Sequence, residues 1–193
     1  MKSKKTFRII LFLFAMVLAG AFVLYTELGQ NFLPDQLAVE DPQETVQETQ
    51  EPQEQIPPAP NFVVYDQEGR EVCLTDYLGK PVVLNFWASW CGPCQSEMPD
   101  FQEKYEALGE EVQFLMINCT DGSRETVETA SAFIAEQGYT FPVVYDTTFS
   151  AAMAYGAHAL PLTVFINAEG YAVAQANSAI DGETLQRGID MIL

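Results

Sequence analysis

Two cysteines separated by two residues, Cys91 and Cys94, constrain the fold of this chain more than any other feature. They directly follow a short apolar run rich in β-branched and aromatic residues, Val82–Trp87, which predicts a buried strand. The apolar residues after them recur at helical spacing and predict an amphipathic helix from Gly92 to about Leu108. Cys91 therefore lies at a strand-to-helix turn, where unpaired backbone N–H groups and the helix dipole favour a thiolate.

This placement favours reversible disulfide exchange, in which an exposed thiolate at Cys91 attacks and a shielded thiol at Cys94 resolves the mixed disulfide. The alternatives are half of a zinc site and a purely structural disulfide. A zinc site needs a second pair of ligands, and the chain offers only the isolated Cys73, Cys119 and His158. A structural disulfide would close a loop too short to stabilise the fold much.

The segment from Asn85 to Cys94, with the sequence NFWASWCGPC, resembles the active-site signature of the thioredoxin superfamily. More narrowly, the chain from about Asn61 to its C-terminus resembles the TlpA/ResA-type membrane-anchored thiol–disulfide oxidoreductases. Three further motifs carry this resemblance: Gly79-Lys80-Pro81 before the first core strand, Glu97-Met98-Pro99 after the second cysteine, and the segment Tyr155–Gly170. The resemblance implies an α/β thioredoxin-like fold, in which helices flank a central mixed sheet, with an N-terminal β-hairpin and a central helix–strand insertion.

Hydrophobic periodicity and turn residues predict the individual elements of this domain. The predicted strands are Phe62–Tyr65, Glu71–Leu74, Val82–Trp87, Val112–Asn118, Phe141–Tyr145, Leu162–Asn167 and Tyr171–Gln175. The predicted helices are Gly92–Leu108, Glu125–Gln137, Phe149–Tyr155 and Asp181–Leu193. Gly188 weakens the prediction of the last helix, because glycine is a poor helix former.

The resemblance also assigns residues around the cysteine pair. Pro161 corresponds to the cis-proline whose loop packs beside the active-site disulfide, and the backbone of Leu160 pairs with an extended client segment. An ordinary trans proline in a turn is the alternative. Trp90 is expected to pack beside the exposed sulfur and to offer contact area to a client. Gly92 and Pro93 form the spacer, which is of the thioredoxin type and favours a reductant.

Glu97 is the third predicted catalytic residue, after Cys91 and Cys94. It follows Cys94 by three residues and thus shares a helix surface with it. A partly buried carboxylate there can accept the proton of the resolving thiol. Thioredoxin has a buried Asp for this task six residues before its first cysteine, where this chain has Asn85. The alternative for Glu97 is a solvated acid on the helix face.

The other sulfur atoms and the single histidine receive no catalytic prediction. Cys73 and Cys119 each fall on or at the end of a predicted strand, which favours small buried hydrophobic residues, although a second disulfide remains open. His158 precedes the cis-proline segment and is predicted to be a plain loop residue, with pH sensing or client contact as alternatives. Pro99 predicts a kink in the first helix.

The N-terminus predicts export. Four basic residues precede an uncharged apolar run of 17 residues at positions 9–25, a pattern that leaves the basic end in the cytoplasm. We predict an uncleaved signal anchor over residues 1–26 that contacts the lipid bilayer through residues 9–25, at the lower length limit for a spanning helix. Cleavage near Ala21, which would release a secreted protein, is the alternative.

Residues 27–60 carry eight acidic residues and no basic one, and they are rich in Pro, Gln and Glu. This composition predicts a disordered tether, with an acidic interaction tail as the alternative. Residues 61–193 form the predicted thioredoxin-like domain, with 19 acidic and five basic residues. Such an excess of negative charge argues against nucleic acids and anionic lipid headgroups as partners of the domain.

Together these features predict an extracytoplasmic disulfide reductase. The resemblance implies disulfide-containing client proteins, such as the oxidised Cys-x-x-Cys-His site of apocytochrome c, and a membrane thiol-electron transporter of the CcdA kind as the source of electrons. No metal or organic cofactor is implied, because the dithiol itself carries the electrons. The alternatives are an electron donor to an exported methionine sulfoxide reductase or peroxidase, a thiol oxidant, and a non-catalytic binding or holdase module.

Overall fold

A computed structural model of the protein describes residues 38–39 and 57–193. In this part of the chain the strands are β1 (Ala38–Val39), β2 (Val63–Tyr65), β3 (Glu71–Cys73), β4 (Val82–Trp87), β5 (Gln113–Asn118), β6 (Val143–Tyr145), β7 (Leu162–Ile166) and β8 (Ala172–Ala176). The α-helices are α1 (Gly92–Leu108), α2 (Val127–Gln137), α3 (Ser150–Tyr155) and α4 (Gly182–Asp190). A short 3₁₀ helix, Leu74–Asp76, follows β3.

The described strands form one mixed sheet in the order β1-β8-β7-β4-β5-β6-β2-β3. At its centre β4 pairs in parallel with β5 and antiparallel with β7, and β5 pairs in parallel with β6. The α1 connection between β4 and β5 explains their parallel pairing, because parallel neighbours need a crossover. The thioredoxin-like fold is thus confirmed, with β2 and β3 as the predicted N-terminal hairpin and α2 with β6 as the predicted insertion.

All six residues of β4 are buried, because both faces of the sheet are covered. Val83 and Trp87 pack in one core cluster with residues of α1, α2 and α4. Val82, Leu84 and Phe86 pack in a second cluster with residues of α3 and of the N-terminal hairpin. The alternation of a strand places successive side chains on opposite faces, so β4 contributes to both clusters.

The last helix is shorter than predicted: it ends at Asp190, with Met191 as its C-cap, although Ile192 remains buried. Gly188 stands in it because a Cβ atom at this position would lie 2.2 Å from Cζ of Phe165. Close contact between α4 and the sheet thus outweighs the low helix propensity of glycine. The second helix is also shorter than predicted and begins at Val127, because Thr126 caps it.

Contacts to the sheet begin before Asn61. Ala59 N donates a hydrogen bond of 2.8 Å to Gly170 O, and Pro58 forms a bridge to Tyr171. The strand β1 pairs with β8. These residues fall within the range predicted as a tether, and the rest of that range and the predicted anchor at residues 1–26 lie outside the described residues. Among the residues that the structure does describe, no helix has the length and apolar character needed to cross a membrane.

Candidate active site

A disulfide joins Cys91 and Cys94 at the N-terminus of α1. Cys91 is the N-cap of the helix, and its Sγ accepts a hydrogen bond of 3.2 Å from Cys94 N. Pro93 is tolerated here because the first-turn N–H groups of a helix have no intrahelical partner. In the reduced protein these N–H groups and the helix dipole would stabilise a Cys91 thiolate.

The two sulfur-bearing residues differ in their access to solvent, although less than predicted. Cys94 is fully buried and Cys91 is 5% exposed. The prediction of an exposed Cys91 is therefore wrong in degree, because residues of the neighbouring loops enclose it. Trp90, by contrast, is 42% exposed. Cys91 keeps a small exposed area that an attacking group can reach, and Cys94 has none.

Cys91 opens into a cavity of about 580 Å³ formed by three parts of the chain. The lining residues are Trp90–Pro93 from the active-site turn, Cys119, Asp121 and Arg124 from the segment after β5, and Phe149, Ala152 and Ala157–Leu160 from α3, its N-cap and the loop that follows it. The Leu160–Pro161 peptide bond is cis. Pro161 is buried, whereas the half-buried Leu160 contributes to the cavity wall near Cys91.

Glu97 is 1% exposed, which is a deeper burial than the sequence predicted. Its Oε1 accepts a hydrogen bond of 2.8 Å from Asn85 Nδ2, and its Oε2 accepts one of 3.0 Å from Ile180 N. Burial raises the pKa of Glu97 to about 7, against the opposing effect of these two hydrogen bonds. A carboxyl group with this pKa can both take and return a proton at neutral pH.

The model of the AhpC/TSA family matches residues 57–174, which include the disulfide, the cavity and most of the sheet. The chain belongs to this family. It is 37% identical over 135 residues to the thiol-disulfide oxidoreductase ResA of Geobacillus thermodenitrificans, covering 69% of this chain and 75% of that protein. It is 35% identical over 177 residues to ResA of Bacillus thuringiensis, covering 90% of this chain and 88% of the relative.

Among solved structures, a DsbF homologue from Corynebacterium diphtheriae is similar to this member of the AhpC/TSA family, with a TM-score of 0.66 and 28% identity. The match covers 82% of this chain and 94% of that one. These relatives confirm the predicted resemblance to ResA-type proteins and the prediction of an enzyme, a thiol–disulfide oxidoreductase. The roles of the individual site residues stay predictions.

The remaining cysteines of this AhpC/TSA-family chain are not joined to each other. Both are free and half-buried, Cys73 on β3 and Cys119 directly after β5. Burial raises the pKa of Cys119 to about 12, and the negative charges of Asp146 and Glu125 contribute to this rise. Cys119 therefore stays a thiol at neutral pH. His158 is exposed on the cavity rim. In residues 57–193 no group of three or more His, Cys, Asp or Glu side chains could hold a metal ion.

Two residues that contact the active-site turn, Arg124 and Glu125, are not predicted by the sequence analysis. The guanidinium of Arg124 lies 3.8 Å from the centroid of the Trp90 ring. Glu125 is fully buried and hydrogen-bonds the segment that precedes Cys91. The sequence gives one weak signal, an acidic residue directly before the cap of α2, which is also what an ordinary helix start presents.

Proposed function

We propose that this protein reduces disulfides of client proteins outside the cytoplasm, with the Cys91–Cys94 dithiol as the electron donor. The observation that carries the proposal is the placement of the pair at the N-terminus of α1. Cys91 opens into the cavity, Cys94 is fully buried, and the carboxyl of Glu97 has a pKa of about 7. Exchange needs an attacking thiolate that can reach the client disulfide, and a shielded second thiol with a nearby proton acceptor suits the resolving step.

In the first step, the Cys91 thiolate attacks one sulfur of the client disulfide. A mixed disulfide forms between Cys91 and that sulfur, and the other client sulfur leaves as a thiolate that takes up a proton. The cis-proline loop supports this step, because the main chain at Leu160 lies on the same cavity as Cys91 and can pair with an extended client segment.

In the second step, Cys94 resolves the mixed disulfide. Glu97 accepts the proton of the Cys94 thiol, and the Cys94 sulfur attacks that of Cys91. The second client sulfur leaves as a thiolate and is protonated. Two electrons have then passed from the dithiol to the client, whose two thiolates have taken their protons from the surrounding water. Glu97 releases the proton of Cys94 in turn, and the Cys91–Cys94 disulfide remains. We assign the proton transfer to Glu97 because Asn85, which occupies the position of the thioredoxin Asp, has no proton to exchange.

A further thiol exchange must return two electrons to the disulfide. We propose a membrane thiol-electron transporter of the CcdA kind as this donor, and the oxidised Cys-x-x-Cys-His site of apocytochrome c as the client. Support for a membrane location comes from the basic residues and the apolar run at positions 9–25, which would anchor the chain, and from the acidic segment that would extend the domain from the bilayer.

The reduction potential tests the direction of electron flow. The protein is equilibrated in dithiothreitol or glutathione buffers, and the Cys91–Cys94 disulfide is quantified. A value at or below about −270 mV, as in thioredoxin, supports a reductase. A value near about −120 mV, as in DsbA, contradicts the reductase and indicates a disulfide donor.

The client class is tested separately with an oxidised peptide that contains Cys-x-x-Cys-His. The reduced protein should convert this peptide to the dithiol, and Cys91→Ser should abolish the reaction. A variant that lacks Cys91 and still protects or binds the client equally well would indicate a holdase instead. If the reduced protein transfers electrons faster to an exported methionine sulfoxide reductase than to the peptide, the sulfoxide reductase is favoured as the electron acceptor.

A further inference from the structure

Glu125 links the turn that carries Cys91 to the segment after β5 through hydrogen bonds. Ser89 N donates a hydrogen bond of 2.8 Å to Oε1 of Glu125, and Ser89 Oγ donates one of 2.6 Å to Oε2. Asn118 Nδ2, at the end of β5, donates to the same Oε1 at 2.6 Å. One buried carboxylate therefore joins the active-site turn to the neighbouring central strand.

Arg124 contacts Trp90, the residue that follows Ser89 in the same turn, on the exposed side of the turn. Its guanidinium lies 3.8 Å from the centroid of the exposed Trp90 ring, the geometry of a cation–π contact. Consecutive residues of one loop thus contact consecutive residues of the other: Glu125 contacts Ser89, and Arg124 contacts Trp90. Both Trp90 and Arg124 line the cavity into which Cys91 opens.

The loop that supplies these two side chains is itself fixed. Oδ1 of Asp121 accepts hydrogen bonds from the backbone N–H groups of Ser123, Arg124 and Glu125, at 2.7, 2.7 and 3.0 Å. These bonds set the backbone direction of the loop and the starting points of both side chains. Burial of a carboxylate such as Glu125 is costly unless hydrogen bonds compensate for it, and here all the donors come from the site and its adjoining strand.

We propose that Arg124 and Glu125 form a clamp on the active-site turn, in which Glu125 fixes Ser89 from inside and Arg124 fixes Trp90 from outside. The clamp makes the indole of Trp90 a fixed wall of the client cavity beside the Cys91 sulfur. Both are positioning residues, since they act on the client through Trp90. The inference rests on the proposed function only in that the client is a disulfide-containing protein segment.

The first test combines a spectroscopic signature with steady-state kinetics. The chain has two tryptophans, and Trp87 is fully buried, so acrylamide quenching of the folded protein reports on Trp90. Glu125→Ala should raise the quenching constant and raise KM for an oxidised Cys-x-x-Cys-His peptide about tenfold, within the range that misplacement of a positioned group produces. The value of kcat should change much less. Glu125→Gln keeps an acceptor for Ser89 N and should restore most of both values.

The matched control is Glu136→Ala, the same substitution at an exposed position of α2, the helix that follows the clamp. It should change neither the quenching constant nor KM. A folded Glu125→Ala protein, by far-ultraviolet circular dichroism, with the quenching and KM of the unsubstituted protein would overturn the proposal. So would equal effects of Glu125→Ala and Glu136→Ala.

A second measurement decides the question if Glu125→Ala does not fold. Arg124 is exposed, so Arg124→Gln should fold, and it should raise KM for the peptide several-fold. In a Trp90→Ala background the same substitution should have no further effect, because Arg124 acts through the indole. Additive effects in this double-mutant cycle would overturn the clamp. If the unsubstituted protein reduces no disulfide at all, the proposed function fails, and the quenching constants still decide on the clamp.

Discussion

Nδ2 of Asn85 donates a hydrogen bond of 2.8 Å to Oε1 of Glu97, deep in the core, and the same amide nitrogen donates to Oγ1 of Thr163 at 3.1 Å. The resemblance to thioredoxin places a buried acid at the position of Asn85, and in this chain the Asn85 amide instead binds the carboxyl of Glu97 on α1. A neutral donor at this position permits the carboxyl of Glu97 to change its charge without leaving a second charge buried beside it.

We predict that Glu97→Gln slows the resolution of the mixed disulfide about 10²-fold, the usual contribution of a positioned acid or base. Glutamine preserves the shape and an acceptor for Asn85 Nδ2, but it cannot accept a proton. The measurement is the pH dependence of single-turnover client reduction, which should lose its inflection near the Glu97 pKa of about 7.

The control for this prediction is Glu103→Gln, the same substitution on an exposed face of α1. Its pH profile should match that of the unsubstituted protein. An inflection near pH 7 that persists in Glu97→Gln would assign the titration to another group and contradict the proton transfer.

Glu97 also makes the stability of the oxidised protein depend on pH. Burial raises its pKa in the folded state from 4.5 to about 7, so folding favours the protonated carboxyl. The contribution of Glu97 to the free energy of unfolding is fully present below pH 4.5. It is lost as the pH rises through about 7, and the total loss is about 3 kcal/mol at most. Urea unfolding of Glu97→Gln at pH 5 and pH 8 should show a smaller loss over this interval than the unsubstituted protein. Equal losses in both proteins would contradict the raised pKa.

Gly188 tests the contact between α4 and the sheet. A Cβ atom here would lie 2.2 Å from Cζ and 2.3 Å from Cε1 of Phe165, whose side chain is fully buried. We predict that Gly188→Ala lowers the free energy of unfolding by about 1–3 kcal/mol, because overpacking outweighs the better helix propensity of alanine.

Gly182→Ala is the comparison on the same helix, since the three atoms nearest to a Cβ there belong to the side chain of Asp100, the first of them at 3.2 Å. That side chain can move, so we expect a much smaller change in the free energy of unfolding. The contact is contradicted if denaturant unfolding gives Gly188→Ala the same stability as Gly182→Ala or a higher one.

The sequence predicted those features of the fold that local pattern determines. The run at β4 was predicted to the residue, because a strand buried on both faces is a continuous apolar segment bounded by turns. The ends of α4 and the full burial of Glu97 were not predicted, because they depend on residues that are distant in the sequence. The backbone N–H that binds Glu97 belongs to Ile180, 83 residues away in the chain. No local pattern records such a pairing.

The same limit applies around the disulfide. The order of the two cysteines, and the helix that begins between them, follow from local sequence. The enclosure of Cys91 does not, because its cavity is built from loops that follow β5 and α3. The burial of Glu125 could not be predicted for a related reason. An acidic residue at the start of a helix usually faces solvent, and only the packing of the active-site turn against β5 buries Glu125.

The unequal access of the two cysteines leads to the last prediction. Because Cys91 opens into the cavity and Cys94 is fully buried, Cys91 and not Cys94 can meet a client sulfur, and the other cavity cysteine, Cys119, stays an unreactive thiol at neutral pH. Reduced Cys94→Ser should therefore accumulate a mixed disulfide with an oxidised client, visible as a single adduct by mass spectrometry under non-reducing conditions. Cys91→Ser should form none, and Cys73→Ser should retain full turnover, because Cys73 lies on β3 and does not line the cavity. An adduct on Cys94 in the Cys91→Ser protein would reverse the assignment of the attacking and resolving thiols.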